Sequence, residues 1–397
     1  MKKIIFSLFS AVLLTGCATQ SISSLTEREL QDGYTAHHFN NGLISFDIVP
    51  QLGAVTTEFK YLPEKRQLME PLILKVEKDD LLPQFCNPEG GMINDFLWGV
   101  TTFGKLPAKI TRWENDPEKS LIQVKDRYYR MQNLEYTKTV SLKKNSTAFQ
   151  VEIELFNHGK QTFSASTWQN IIQRLSAEPD IDTIIMPVKG RTKFVGKRAV
   201  KVFDKDMVFA EKDISDREVF TAPARPWIAA RDNKKAGLLV FLTTDDLVGE
   251  GAFLYTYKTI SVHTMEFIGA KKEIPSKKSA KFCFDYICFS ELNNLSEVFK
   301  IGDVPVGFYA KAVSSPRKLA MTMQSSAPIE AKEWEFILTA ADGKKYTLGK
   351  IRFPALEPTK AVTKEVDICS AIPAGEYKIS AVSGDDEFSL IDTFKFL

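Results

Sequence analysis

The chain reads as all-β, built from packed antiparallel sheets, and three observations predict this. Helical periodicity is nearly absent beyond residue 33, where period-2 alternation of apolar and polar residues dominates. The alternation is clearest from Thr147 to Asn157. There Phe149, Val151, Ile153 and Leu155 point one way and Gln150, Glu152 and Glu154 the other, as in a half-buried antiparallel strand. Similar runs recur at 43–49, 53–60, 108–113, 134–142, 162–172, 198–209, 237–243, 251–268 and 279–289, without intervening helices, so sheet must pack on sheet.

The elements follow in order. Lys2 and Lys3 precede an apolar run from Ile4 to Leu14, and small residues follow, so residues 1–17 have the parts of a secretory signal. The run is too short to span a bilayer as a stable helix. Its ending, Leu14-Thr15-Gly16-Cys17, resembles the bacterial lipoprotein signal. That resemblance implies cleavage before Cys17, lipidation of Cys17 and a membrane partner through the N-terminal lipid. Two acyl chains anchor stably. An ordinary cleaved signal with an incidental cysteine is the alternative. Ala18 stands where related inner-membrane lipoproteins carry a retention aspartate, which favours the outer membrane. Residues 18–33, rich in Ser, Thr, Gln and Glu, read as a flexible tether.

The main domain is expected over 34–300. Asn157-His158-Gly159-Lys160 supplies turn chemistry inside it, and a short helix is expected from Glu291 to Lys300. Gly302, Pro305, Gly307 and Pro316 mark 301–316 as a linker. Residues 317–397 read as a separate small sandwich, with a strand at Trp334–Leu338 and a hairpin turn at Asp342-Gly343. The stretch from Val366-Asp367-Ile368 through Ile372 to Tyr377 resembles the closing hairpin of immunoglobulin-like domains.

Composition narrows the function. The 52 basic and 50 acidic residues nearly balance, so nucleic acid is not an expected partner. Besides Cys17 there are Cys86, Cys283, Cys288 and Cys369, read as buried thiols, with a disulfide to Cys86 or Cys369 as the lesser reading. Cys283 and Cys288 are five apart in a strand and face opposite sides. No metal-ligand spacing, phosphate loop, nucleophile elbow or nucleotide fingerprint is visible, so no metal or cofactor is expected.

From about 35 to 299 the chain resembles the galactose mutarotase-like superfamily, which includes the aldose 1-epimerases. Ile44 to Phe59, with Pro50-Gln51-Leu52-Gly53-Ala54, is similar to that family's opening hairpin. Glu89-Gly90-Gly91 resembles its His-Gly-Gly segment. Glu135 to Asn157, followed by His158-Gly159, resembles its long strand pair ending in an Asn-x-Gly turn. Ser166-Thr167-Trp168-Gln169-Asn170 falls where the family has its second histidine motif, and Ile274 to Ser279 resembles the turn before its last strand. The resemblance implies an antiparallel supersandwich with a sugar-binding concave face. Mutarotation needs a general acid and a general base across the sugar ring. The family supplies two histidines and a glutamate. Here Glu89 replaces the first histidine, Trp168 and Gln169 occupy the second motif, and Glu266 stands for the glutamate.

The candidate carbohydrate-binding residues are therefore Glu89, Asn94, Asp95 and Trp98 in the 87–99 run, Trp168 and Gln169 with Asn170, and Arg225 of Arg225-Pro226-Trp227. Carboxylates and amides meet hydroxyls, and tryptophan offers a stacking face. Each has a plainer alternative: Trp98 and Trp168 as core, Arg225 as a surface cation. If the protein is an enzyme, Glu89, Asp95, Glu266 and His263 are the catalytic candidates. His263 and Glu266, three apart in a strand, face opposite sides, and His263 as a satisfied sheet residue is the commoner reading. His37 and His38 are expected on the surface. Arg127-Tyr128-Tyr129-Arg130 carries residue types that suit a polysaccharide lyase. The sequence reading is an envelope-anchored carbohydrate-binding lipoprotein without standard aldose 1-epimerase chemistry. A divergent epimerase or lyase, and a structural envelope protein, are the alternatives.

Overall fold

The computed structural model describes residues 23–30, 33–72, 91–96, 107–128, 131–176, 182–190, 193–195, 200–211, 218–258, 263–314 and 317–396. These residues form two large antiparallel sheets, two four-stranded sheets and two two-stranded pairs, and none is α-helical.

The first large sheet has ten strands. Its order is Ser24–Glu29, Thr35–Asn40, Ile44–Val49, Val55–Tyr61, Met92–Asp95, Trp168–Ile172, Thr264–Ile268, Phe253–Tyr257 and Glu218–Thr221, with Arg66–Gln67 pairing onto Val55–Tyr61. The second has nine: Met207–Ala210, Thr183–Val188, Trp227–Arg231, Leu238–Leu242, Ser279–Phe289, Ala148–Asn157, Met131–Lys143, Lys119–Tyr128 and Lys109–Asn115. Their facing sides share one core. Aromatic rings bridge it: Phe149 of the nine-stranded sheet stacks on Phe46 of the other at 4.0 Å and on Tyr286 at 5.0 Å. Such contacts add about 0.5–1.5 kcal/mol each beyond area burial.

Two turns show how sequence sets the register. Gly53 takes φ 65°, which costs glycine nothing, and its N–H closes the Pro50–Leu52 turn on the Pro50 carbonyl. Asn157 accepts from the Gly159 N–H at 2.8 Å and donates to the Ile274 carbonyl at 2.9 Å. One side chain thus ties the Asn-x-Gly turn to the turn before the long Ser279–Phe289 strand.

The C-terminal part is two four-stranded sheets around a separate apolar cluster. One holds Glu297–Ile301, Val304–Ser314, Arg317–Ser325 and Val362–Asp367; the other holds Lys345–Phe353, Lys332–Ala340, Gly375–Ser383 and Asp386–Phe396. The Asp342-Gly343 hairpin forms, with Gly343 at φ 85°.

Several expectations are corrected. Residues 24–29, expected in the tether, are an edge strand of the ten-stranded sheet, because Ser24 to Glu29 pair in register with Asn40 to Thr35. The expected 291–300 helix instead ends in a strand, Glu297–Ile301, whose Phe299 packs on the C-terminal core. The expected 301–316 linker is largely the strand Val304–Ser314: Val306, Phe308 and Ala310 alternate inward, and that periodicity outweighs the glycine and proline signals. The 366–377 stretch is not a hairpin, because its two strands lie in different sheets. His37 is buried, where desolvation lowers its pKa, and His38 is half-buried against Asp47 at 2.7 Å. Cys369 is exposed and Cys283 half-buried; only Cys288 of the three described thiols is fully enclosed, and burial pushes it up to about 12. Cys86 lies outside the described residues.

Candidate carbohydrate-binding face

Alternation along Trp168–Ile172 decides which side chains can meet a ligand. Gln169 points between the two sheets, where Asn94 and Gln169 bond each other and the Tyr286 hydroxyl of the facing sheet. Met92, Ile171, Met265 and Phe267 share that inward side in the common core. Asn94 and Gln169 are therefore structural, and their assignment to a ligand is corrected.

The alternate residues point outward and align in rows across the sheet. Phe220, Tyr255, Glu266, Asn170 and Ile93 stand opposite one another on five adjacent strands. Phe253, Ile268, Trp168 and Asp95 form the next row. The indole N–H of Trp168 donates to Glu266 Oε2 at 2.8 Å. Trp168 is only 5% exposed, so it positions the carboxylate rather than offering an open stacking face, a correction to that reading. Asn170 Oδ1 is buried without a partner. Asp95 Oδ1 accepts from the Phe96 N–H at 2.7 Å, so Asp95 shapes the strand end.

The face grades from buried to open. Trp168, Asn170 and Glu266 are enclosed, Tyr255 and Glu218 are half-buried, and Phe220 and Tyr257 are 40% and 38% exposed. Phe220 stacks on Phe253 at 4.3 Å. The Tyr255 hydroxyl donates to Glu218 Oε1 at 2.8 Å, and burial together with that bond raises its pKa. On the neighbouring strands the same side of the sheet is capped by Val49, Leu52, Val55 and Ile93. The polar and aromatic character is thus confined to the part around Trp168 and Glu266. The sequence signal for Phe253, Tyr255 and Tyr257 was their spacing of two, which puts three aromatics on one side of a strand.

The other candidates lie elsewhere. Glu89, Trp98 and Cys17 are outside the described residues. Arg225 sits at the junction with the C-terminal sheets: its Nε donates to Glu297 Oε2 at 2.8 Å and its Nη2 to the Ser389 carbonyl at 3.1 Å. Trp227 holds the other Glu297 oxygen at 2.8 Å. Arg225 therefore ties the segment before Trp227–Arg231 to the C-terminal sheets, and the structure does not bring it to this face. His263 lies one residue before the Thr264–Ile268 strand, with Nε2 2.7 Å from Glu211, a buried partner invisible in the sequence. Arg127 neighbours Glu135 at 3.9 Å, and Tyr129 and Arg130 lie outside the described residues. All four histidines of the chain are described, and none shares the outward rows with Glu266. Among the described residues no cluster of metal-ligand side chains occurs.

The comparisons agree with this architecture. Residues 1–18 match the prokaryotic membrane lipoprotein lipid attachment site. A galactose mutarotase-like protein from Clostridium acetobutylicum superposes with a TM-score of 0.52 at 10% identity, covering 67% of this chain and 98% of that one. A TPR-domain containing protein from Parabacteroides distasonis superposes with a TM-score of 0.52 at 13% identity, covering 72% of this chain and 56% of that one. No curated protein matches the sequence. At these identities the likeness establishes the fold.

Proposed function

From a galactose mutarotase-like fold carried on a lipoprotein attachment site, we propose that this protein is a lipid-anchored envelope protein that binds carbohydrate on the outward face around Glu266. The observation that carries the reading is the set of side chains gathered there. Glu266 is fixed by the Trp168 N–H, Asn170 Oδ1 lacks a partner, and Phe220 and Tyr257 are open beside them. Aromatic faces stack on the C–H side of a sugar ring, and amide and carboxylate groups take its hydroxyls. The chain has no histidine on this face to serve as acid and base across the ring, so recognition without mutarotation is the consistent chemistry.

The test is a titration of the mature chain with monosaccharides and oligosaccharides, read by tryptophan fluorescence and calorimetry. Saturable binding that weakens in Asn170→Ala and Phe220→Ala supports the reading. Silence across neutral and acidic glycans, or binding indifferent to both substitutions, sinks it.

A further inference from the structure

A second concave feature lies where the Arg66–Gln67 strand meets the loop after Trp227–Arg231. It is a cavity of about 440 Å³ whose lining includes Arg66. The Arg66 side chain is 3% exposed, and its Nε and Nη1 have no hydrogen-bond partner. Its Nη2 reaches Glu64, which Lys235 also approaches at 3.3 Å. Lys65, Arg174 and Lys234 complete the cationic lining, while Glu64 and Asp232 are its only carboxylates among the described residues. Arg174 is neutralised by Glu70. Lys65, Lys234 and Lys235 are exposed at the rim. Gly237 packs against the Arg66 guanidinium so closely that a Cβ there would collide with it, so the loop seats the buried cation.

The position of this pocket relative to the anchor gives it an occupant. Ser24, Asn40, Ser45, Lys60 and Gln67 pair successively across five strands in one row. Four strand spacings of about 4.8 Å put Gln67 about 19 Å from Ser24. Arg66 pairs with Tyr61, one residue further towards the end of the sheet from which Ser24 enters. Ser23 is fixed there by its N–H on the Pro117 carbonyl and its hydroxyl on Ser120. Only six residue steps separate Cys17 from Ser23, a reach of at most about 20 Å. A lipid on Cys17 therefore holds this end of the sandwich at the bilayer, with the basic pocket on the same end.

We propose that the Arg66 pocket binds the phosphate of an anionic phospholipid headgroup and so fixes how the anchored protein sits on its membrane. An anionic surface attracts nearby cations within a Debye length, and a buried guanidinium with unpaired N–H groups adds a site for a single phosphate.

The experiment uses the mature chain with Cys17→Ser, so that acylation does not itself hold it to lipid. It is sedimented with phosphatidylcholine vesicles, with and without phosphatidylglycerol. The expected result is binding only to vesicles containing phosphatidylglycerol, weakening as salt rises. Lys65→Gln with Lys235→Gln should lower that affinity about thirtyfold, about fivefold for each cation removed beside an anionic surface. Lys311→Gln with Lys345→Gln, in the C-terminal sheets, should leave it unchanged. Circular dichroism confirms that each variant folds. Equal sedimentation with both vesicles, or loss in neither variant, overturns the proposal. So does binding of a soluble polyuronate that Lys65→Gln with Lys235→Gln abolishes while vesicles are ignored, which makes the pocket a glycan site.

Discussion

The indole N–H of Trp168 donates to Glu266 Oε2 at 2.8 Å, linking two adjacent strands of the ten-stranded sheet across its outward face. Both side chains are buried. Trp168→Phe keeps an aromatic ring but removes the donor and part of the buried indole volume, so the carboxylate loses a partner where water does not replace it. We expect a loss of about 1–3 kcal/mol in urea denaturation. Sugar affinity should fall as well, because Glu266 is no longer held in place. Unchanged stability and unchanged binding would show that the bond organises nothing.

Polarimetry on fresh α-glucose and α-galactose should show no acceleration of mutarotation. His37, His38, His158 and His263 all lie off the outward rows, so no imidazole stands beside Glu266 to complete an acid–base pair across a sugar ring. Glu266→Gln should still weaken saccharide binding, by about tenfold, as loss of a hydrogen bond to a charged group does. Efficient turnover by the unmodified chain defeats the recognition-only reading.

The all-β architecture was legible because alternation records burial directly. Leu134, Tyr136, Val140 and Leu142 all point inward, and so does Lys138 between them. The hydrogen-bonded site was less legible, because which side of a strand faces the second sheet depends on the partner sheet. Trp168, Gln169 and Asn170 were all plausible ligands for a sugar, and only the Tyr286 hydroxyl on the opposing sheet assigns Gln169 to the interior. Glu211 pairs with His263 from 52 residues away, a separation no local pattern encodes.

Cys17→Ser should abolish acylation and move the chain from membrane to soluble fractions. The match of residues 1–18 to a lipid attachment site motivates this. Cell fractionation with palmitate labelling measures it, and an unaltered membrane share in the variant counts against a lipid anchor.

The C-terminal sheets should fold alone only when their first two strands are kept. Glu297–Ile301 pairs with Val304–Ser314, and Phe299, Val306 and Phe308 enter the C-terminal core. A fragment of residues 293–397 should therefore unfold cooperatively, whereas 317–397 should lack dispersed amide signals in NMR. A well-folded shorter fragment would return the boundary to residue 317. Within the whole chain Glu297→Ala should cost about 1–3 kcal/mol, since it leaves the buried Trp227 N–H unpaired and Arg225 with only its carbonyl partners.

Lys138 gives the clearest pH signature. Its side chain lies between the sheets, with Nζ donating to the Ala54 carbonyl at 2.6 Å. Burial lowers its pKa from 10.5 to about 7, against a smaller opposing pull from Asp95. Between those values the unfolded chain binds a proton that the folded chain does not. Stability from this group therefore rises as pH increases from about 7 towards 10, by at most about 1.4 kcal/mol per unit. Below pH 7 both states are protonated and the full penalty of burying the charge remains. Lys138→Met removes the titration and should flatten that part of the curve. The measurement is urea denaturation of both proteins at neutral pH and two units higher. Parallel curves would mean that Lys138 keeps its ordinary pKa inside the sandwich.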